Sequence, residues 1–273
     1  MISVIMNAVE TVELKKSFSL KTGLFSRAKA STIVAVEGIT LTVPEGQAVA
    51  FVGPNGAGKS TTIKMLTGIL KPTSGKARVL GFDPWRERQK LVKEIGAVFG
   101  QRSQLWLHLP PKDTFDLLAQ IYDLGKHDYK VRRDLLVERF ELGDFIDTPV
   151  RKLSLGQRMR CEIAASLLHR PRLLLLDEPT IGIDVVARQR LRELICQWNK
   201  EEGLTVFLTS HDTGDIASVA SRMVLINHGR IVLDDTVASV SQTVIQEGLE
   251  GDLEQVIAHL FAQPAASSAG LRG

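Results

Sequence analysis

Two cysteines in 273 residues, Cys161 and Cys196, are too few and too far apart for a disulfide framework or a CxxC metal site. They read as ordinary packed thiols in a reducing compartment. Long apolar runs are missing as well, since each is broken well before the roughly 18 residues that a membrane-spanning helix needs. The opening MISVIMNAVE has no basic segment ahead of an apolar stretch and no cleavage site. No secretory signal is expected, and the cytoplasm is the expected compartment. An excess of one charge is also lacking. A formal net charge of +3, with acids and bases interspersed, leaves no footprint for nucleic acid, so none is expected as a partner. There is no internal repeat and no low-complexity tract.

What remains is an ordinary globular composition, 44% hydrophobic and 24% charged. The length suits one large α/β domain, or a core domain with a small subdomain. Apolar stretches rich in β-branched residues predict strands at 34–43, 48–52, 97–99, 173–176, 206–208 and 223–226. Several are nearly continuous in apolar residues, as expected of strands covered on both faces of a largely parallel sheet. Between about 102 and 169 the period becomes helical, with apolar residues three and four apart over 114–124, 129–140 and 157–168. This predicts a helical subdomain inserted in the sheet. A further helix is expected at 253–261, followed by a small-residue tail over 263–273.

The segment Gly53-Pro54-Asn55-Gly56-Ala57-Gly58-Lys59-Ser60 follows the apolar run Val49 to Val52 and precedes a helical stretch beginning near Thr61. Strand, glycine-rich loop, Lys-Ser and helix together make a Walker A phosphate loop. Its glycines let backbone N–H groups converge on phosphate oxygens, and the following helix directs its positive end at the same anion. Lys59 is expected to reach the β- and γ-phosphates, and Ser60 to bind Mg²⁺. Downstream, Leu173-Leu174-Leu175-Leu176-Asp177-Glu178 is a buried strand ending in two acids. That is a Walker B arrangement, with Asp177 on the metal and Glu178 positioned to polarise the attacking water.

Leu153-Ser154-Leu155-Gly156-Gln157 stands shortly before that strand, where the ATP-binding cassette family carries its signature motif. On this element the chain resembles that family over roughly residues 8–235, the expected ATPase domain, with 236–273 as a short helical extension and tail. The resemblance extends to Gln101, to Asp184 in Ile181-Gly182-Ile183-Asp184, and to His211 in Thr209-Ser210-His211-Asp212. It implies a P-loop NTPase core with N-terminal antiparallel β elements and the inserted helical subdomain. ATP and Mg²⁺ are the implied ligands. Gln101 would sense Mg²⁺ and the attacking water, while His211 would contact the γ-phosphate and help hold Glu178. Thr61 and Asp184 would belong to the nucleotide site, and Phe18 would stack on adenine. Cassettes of this family pair head to tail, so Ser154, Gly156 and Gln157 would face ATP on a second ATP-binding subunit. Leu155 departs from the family, which most often has glycine there; its backbone N–H stays available, so a competent site is expected, with fewer dihedrals open to it than to glycine and slower turnover as the alternative. The remaining histidines, including His108, His127, His169 and His228, form no ligand spacing and read as structural.

Leu105-Trp106-Leu107-His108-Leu109-Pro110-Pro111 is an apolar cluster in an expected loop. It is either core or, as the resemblance implies, a dock for a short helix of an integral membrane permease subunit. The stretches Gly100 to Trp106 and Leu80 to Trp85 are similar to cassettes of ABC-2-type exporters, particularly those exporting viologen or related drugs. That similarity implies an ATP-hydrolysing subunit, peripheral on the inner face of the cell membrane, powering export through separate permease chains. The alternative is a soluble cassette acting in DNA repair, translation or cofactor assembly. The basic stretch Lys21 to Ser31, with Lys21, Arg27 and Lys29, reads as a solvated loop or as a contact to lipid headgroups.

Overall fold

Leu173, Leu174, Leu175 and Leu176 are each at most 1% exposed, so this apolar run is covered on both faces, as a central parallel strand must be. The computed structural model describes residues 6–20, 31–100 and 102–246. The chain begins with strands β1 (Asn7–Leu20), β2 (Ser31–Pro44) and β3 (Ala48–Val52). Helix α1 (Lys59–Leu66), strand β4 (Ser74–Val79), the single-turn helix α2 (Arg88–Leu91) and strand β5 (Ile95–Phe99) follow. Helices α3 (Pro111–Ile121), α4 (Lys126–Arg139) and α5 (Leu155–Ser166) fill the stretch where the helical period was expected. Next come β6 (Leu173–Asp177), α6 (Val185–Glu202), β7 (Thr205–Ser210) and α7 (Thr213–Val219). Strands β8 (Arg222–Asn227) and β9 (Arg230–Thr236) and helix α8 (Val237–Gln246) complete the described chain.

The main sheet has the order β5-β6-β7-β3-β8-β9, parallel throughout except for the last pair. Side chains alternate across it. Leu174, Leu176, Val206 and Leu208 pack with Phe115, Phe140, Met159, Ile163 and Leu194 on one face. Leu173, Leu175, Phe207, Val49 and Phe51 pack with Ile63, Leu66 and the first two strands on the other. A second sheet, antiparallel with order β2-β1-β4, carries the N-terminal β elements that the family resemblance implied.

Several boundaries move. The expected strands at 34–43 and 97–99 lengthen to Ser31–Pro44 and Ile95–Phe99. Helix α1 starts at Lys59, not near Thr61, because Gly58 in the left-handed region turns the chain directly into it. Helix α5 starts at Leu155, two residues before the expected Gln157. Ser154 causes this by capping the helix, its side chain accepting from Gln157 N–H while the Gln157 side chain accepts from Ser154 N–H. Leu155 is therefore the first helical residue, and it is absent from the residues of positive φ.

Gln101, the basic stretch 21–30, the expected helix 253–261 and the tail 263–273 lie outside the described residues. Among the described residues no helix is long and apolar enough to cross a membrane. Cys161 is buried, which pushes its thiol up to about 12, and Cys196 is partly buried.

Candidate functional site

Strands β3, β6 and β7 run parallel and end together, and the loops after them form the site. After β3, residues 53–58 turn the chain into α1, with Pro54, Asn55 and Gly56 exposed and Ala57 buried. Gly58 has φ 109°, and a Cβ there would stand 2.5 Å from the Ala35 carbonyl, so both conformation and space demand glycine. A glycine N-cap gives α1 no side-chain cap, which leaves its first-turn N–H groups, near Ser60 and Thr61, to an anion.

Lys59 is 5% exposed, and its ammonium is fully partnered. Nζ donates to the carbonyls of Gly53 at 2.7 Å and Pro54 at 3.2 Å, and lies 3.4 Å from Glu178 Oε1. Three donors thus meet three acceptors. The same Glu178 oxygen is 3.7 Å from His211 Nδ1, so one carboxylate oxygen sits between the lysine and the histidine. Glu178 holds φ 53°, a left-handed conformation that costs a non-glycine residue about 1 kcal/mol and turns the side chain away from the strand.

Asp177 Oδ1 accepts from Ser60 Oγ at 3.1 Å and from Thr209 Oγ1 at 2.7 Å. This hydroxyl and carboxylate pair is a hard-oxygen donor set beside the phosphate loop. It fits Mg²⁺, which takes few protein oxygens and keeps the rest for waters and phosphates. No cluster of three or more His, Cys, Asp and Glu with metal-holding geometry occurs among the described residues, consistent with so sparse a site. Ser60, Lys64, Ile69, Phe99, Gly100, Arg102, Asp177 and Glu178 line a pocket of about 330 Å³ here.

Two residues that sequence reasoning passed over hold these groups. Thr209 is one, since its hydroxyl contacts both Asp177 and Glu178 N–H, the latter at 3.1 Å, while its carbonyl accepts from the same N–H. Gly100 is the other: its N–H donates to the Asp177 carbonyl, and a Cβ there would fall 2.3 Å from the Glu178 carbonyl. Both were quoted only as neighbours of motif residues. Their role follows from parallel strands aligned across the sheet, which the chain order does not display.

Behind His211 lies a second polar network. Asp215, fully buried, accepts from Thr180 Oγ1 at 2.5 Å, Ser210 Oγ at 2.7 Å and Arg192 Nε at 2.7 Å. Asp212 caps α7 and pairs with Arg188 and Arg192. The residues flanking His211 are thereby tied to α6.

The remaining expected residues lie elsewhere on the chain. Phe18 is 39% exposed on β1, opposite Ile33, on the strand pair that reaches the phosphate loop at Ala35. Lys16 Nζ stands 5.1 Å from its ring centre. Ser154, Gly156 and Gln157 start α5, and Asp184 caps α6 by accepting from Ala187 N–H. A Cβ at Gly156 would come within 2.7 Å of Ala187 Cβ, so the starts of α5 and α6 are packed together. This second group does not line the pocket of Ser60 and Asp177. Trp106, Leu107 and Leu109 are 47%, 46% and 38% exposed, whereas Leu105 is buried; only part of that cluster is core.

Comparison with known proteins gives concordant matches. The family model described as ABC transporter matches residues 36–181. The ABC transporter ATP-binding protein NatA of Bacillus subtilis is 30% identical over 221 residues, 81% of this chain and 89% of that protein. The daunorubicin/doxorubicin resistance ATP-binding protein DrrA of Streptomyces peucetius is 34% identical over 77% of this chain, and the match spans 63% of DrrA. The methionine import ATP-binding protein MetN of Geobacillus kaustophilus is 32% identical over 87% of this chain and 73% of that protein. Among solved structures, cbiO1 from Clostridium perfringens, part of the ABC transporter complex cbiONQ, superposes with a TM-score of 0.72 at 26% identity, covering 93% of this chain and 98% of cbiO1. A dimeric ATP-binding cassette in a post-hydrolysis state with ADP and Pi superposes at 0.71 and 26% identity, over 84% of this chain and 98% of that one. With its phosphate loop, paired acids and signature helix in this arrangement, the chain belongs to the ABC transporter family as an ATP-binding subunit.

Proposed function

We propose that this subunit hydrolyses ATP as half of a cassette dimer and powers an exporter of the ABC-2 type through separate permease chains. The observation that carries hydrolysis is the single Glu178 oxygen between Lys59 and His211, one residue beyond an Asp177 hydrogen-bonded to Ser60. The phosphate loop and Lys59 hold the β- and γ-phosphates. Glu178 orients the attacking water and accepts its proton as the γ-phosphate is cleaved, and His211 steadies the carboxylate from the other side. Ser60 and Asp177, with Gln101, would hold Mg²⁺, which when bound offsets phosphate charge. Phe18 offers its face to adenine.

Pairing is supported by the separation of the two residue groups. Ser154, Gly156, Gln157 and Asp184 present a hydroxyl and a helix N-terminus away from the chain's own phosphate loop. Beside them Val185 and Val186 are 79% and 80% exposed, apolar surface suited to a second subunit. A permease dock is supported by the exposed Trp106, Leu107 and Leu109. Export is favoured by relatives named for drug resistance, bacitracin transport and lantibiotic transport. The subunit then lies on the inner face of the cell membrane.

The experiment is to purify tagged Glu178→Gln chain from detergent-solubilised membranes and identify by mass spectrometry what accompanies it. A polytopic membrane protein of the exporter class is expected. Ribosomes, DNA-repair factors or other soluble partners alone would favour a soluble cassette instead.

A further inference from the structure

Glu162 is a buried acid that the hydrolytic reading does not use. It sits on α5, two turns beyond the Ser154 cap, and is 3% exposed. Its carboxylate faces no Lys or Arg within ion-pair distance among the described residues, which is unusual for a buried acid. All its hydrogen bonds come instead from one short segment of a different element. Ser103 Oγ donates to Oε1, and Gln104 N–H lies 3.1 Å from each carboxylate oxygen. Leu105 N–H donates in turn to Ser103 Oγ at 3.2 Å, and its side chain is buried in the core shared with α5. Every partner is a donor, so the pocket is matched to an acceptor-only side chain.

Position gives this tie its consequence. Ser103 to Leu105 lie between the turn at Phe99 to Arg102, which packs on Asp177, and the exposed Trp106 and Leu107. Helix α5 begins at Leu155, between its cap Ser154 and Gly156. One carboxylate therefore joins the helix that would meet the partner's ATP to the loop that would meet the permease.

We propose that Glu162 is a positioning residue that makes the loop from Ser103 to Leu109 follow α5 when the cassettes pair on ATP. The inference rests on the paired-cassette reading above. Closure displaces the start of α5, and a rigid helix carries Glu162 with it. The two donors of the loop, Ser103 Oγ and Gln104 N–H, follow, because losing them would leave a buried carboxylate unsatisfied. Trp106 and Leu107 then shift without contacting nucleotide.

The test is hydrogen exchange, with and without ATP, in the full-length Glu178→Gln parent and in the same chain carrying Glu162→Gln. The parent is expected to change its exchange on ATP in both 154–160 and 103–109. With Glu162→Gln the amide group turns an N–H₂ toward donors. Gln104 N–H should then exchange about tenfold faster, while 154–160 still responds to ATP and 103–109 no longer does. If Glu162→Gln unfolds the helical region, Ser103→Ala removes one donor from the loop side only, and it should reduce the response of 103–109 alone. A wild-type response of 103–109 in Glu162→Gln, or in Ser103→Ala where that variant has to be used, overturns the inference. So does a parent in which 103–109 never responds. Failure of the pairing reading shows separately, as a parent whose 154–160 is indifferent to ATP; the motion to be transmitted is then missing and the inference falls with it.

Discussion

Lys59 Nζ stands 3.4 Å from Glu178 Oε1, a buried ammonium and a partly buried carboxylate brought together from 119 positions apart in the chain. The lysine's other protons go to the carbonyls of its own loop. On the proposed phosphate site, phosphate replaces contacts already made, and what decides the exchange is that a phosphate oxygen is a stronger acceptor than a neutral carbonyl. Lys59→Ala is expected to weaken ATP binding by at least about 100-fold, the loss of one charge-assisted phosphate contact. Titration with a fluorescent ATP analogue checks this; unaltered affinity would remove Lys59 from the phosphate site.

Thr209 tests the support of Asp177, the proposed metal acid. Thr209→Val keeps the shape of the side chain but removes the hydroxyl shared by Asp177 and Glu178 N–H. Turnover should fall about tenfold or more, with a higher Mg²⁺ requirement, whereas Thr209→Ser should stay near wild type. Steady-state rates across a Mg²⁺ series distinguish the two.

Gly100 tests close approach. In Gly100→Ala the new methyl would lie 2.3 Å from the Glu178 carbonyl, so either the turn or Glu178 must shift. A displacement of about 1 Å at Glu178, the proposed proton acceptor, is expected to cost about 100-fold in turnover, while nucleotide affinity should remain close to wild type. Equal losses in affinity and turnover would mean that the phosphate loop had been disturbed as well.

His169 supplies a pH dependence unrelated to catalysis. Its ring stacks on Tyr122 at 3.9 Å, Nε2 bonds the Ile95 carbonyl at 3.0 Å, and burial lowers its pKa from 6.5 to about 4. The folded chain thus binds fewer protons than the unfolded one between those values. The stabilisation is complete above pH 6.5 and is lost as pH falls toward 4, about 3 kcal/mol in all. His169→Phe keeps the stack, so its denaturation midpoint should lack this share of the decline between pH 6.5 and 4. An identical slope in both chains would refute the assignment.

How much of this was readable in the chain follows from which forces are local. Strands β3, β6 and β7 announce themselves because burial on both faces makes them continuously apolar. The antiparallel strands were harder. On β4 most positions are exposed, β9 alternates only between exposed and half-buried positions, and β1 is interrupted by irregular pairing and by Glu13 at φ 47°, so none shows a continuous apolar run. The helical stretch between α3 and α5 was legible from its period. In the site, Lys59, Ser60, Asp177 and Glu178 carry chemistry in fixed order within short motifs. Thr209, Gly100, Asp215 and Glu162 each act through at least one partner 23 or more positions away, and only packing brings those together.

The most direct measurement is phosphate release from ATP by the wild-type chain and by Glu178→Gln, each with ATP affinity measured in parallel. The substitution keeps the size of the side chain but removes its negative charge, and with it the capacity to take a proton. Turnover reduced by at least about 100-fold with ATP binding intact is the predicted result. Unchanged turnover in Glu178→Gln would contradict the account, because the group held between Lys59 and His211 would then have no part in hydrolysis.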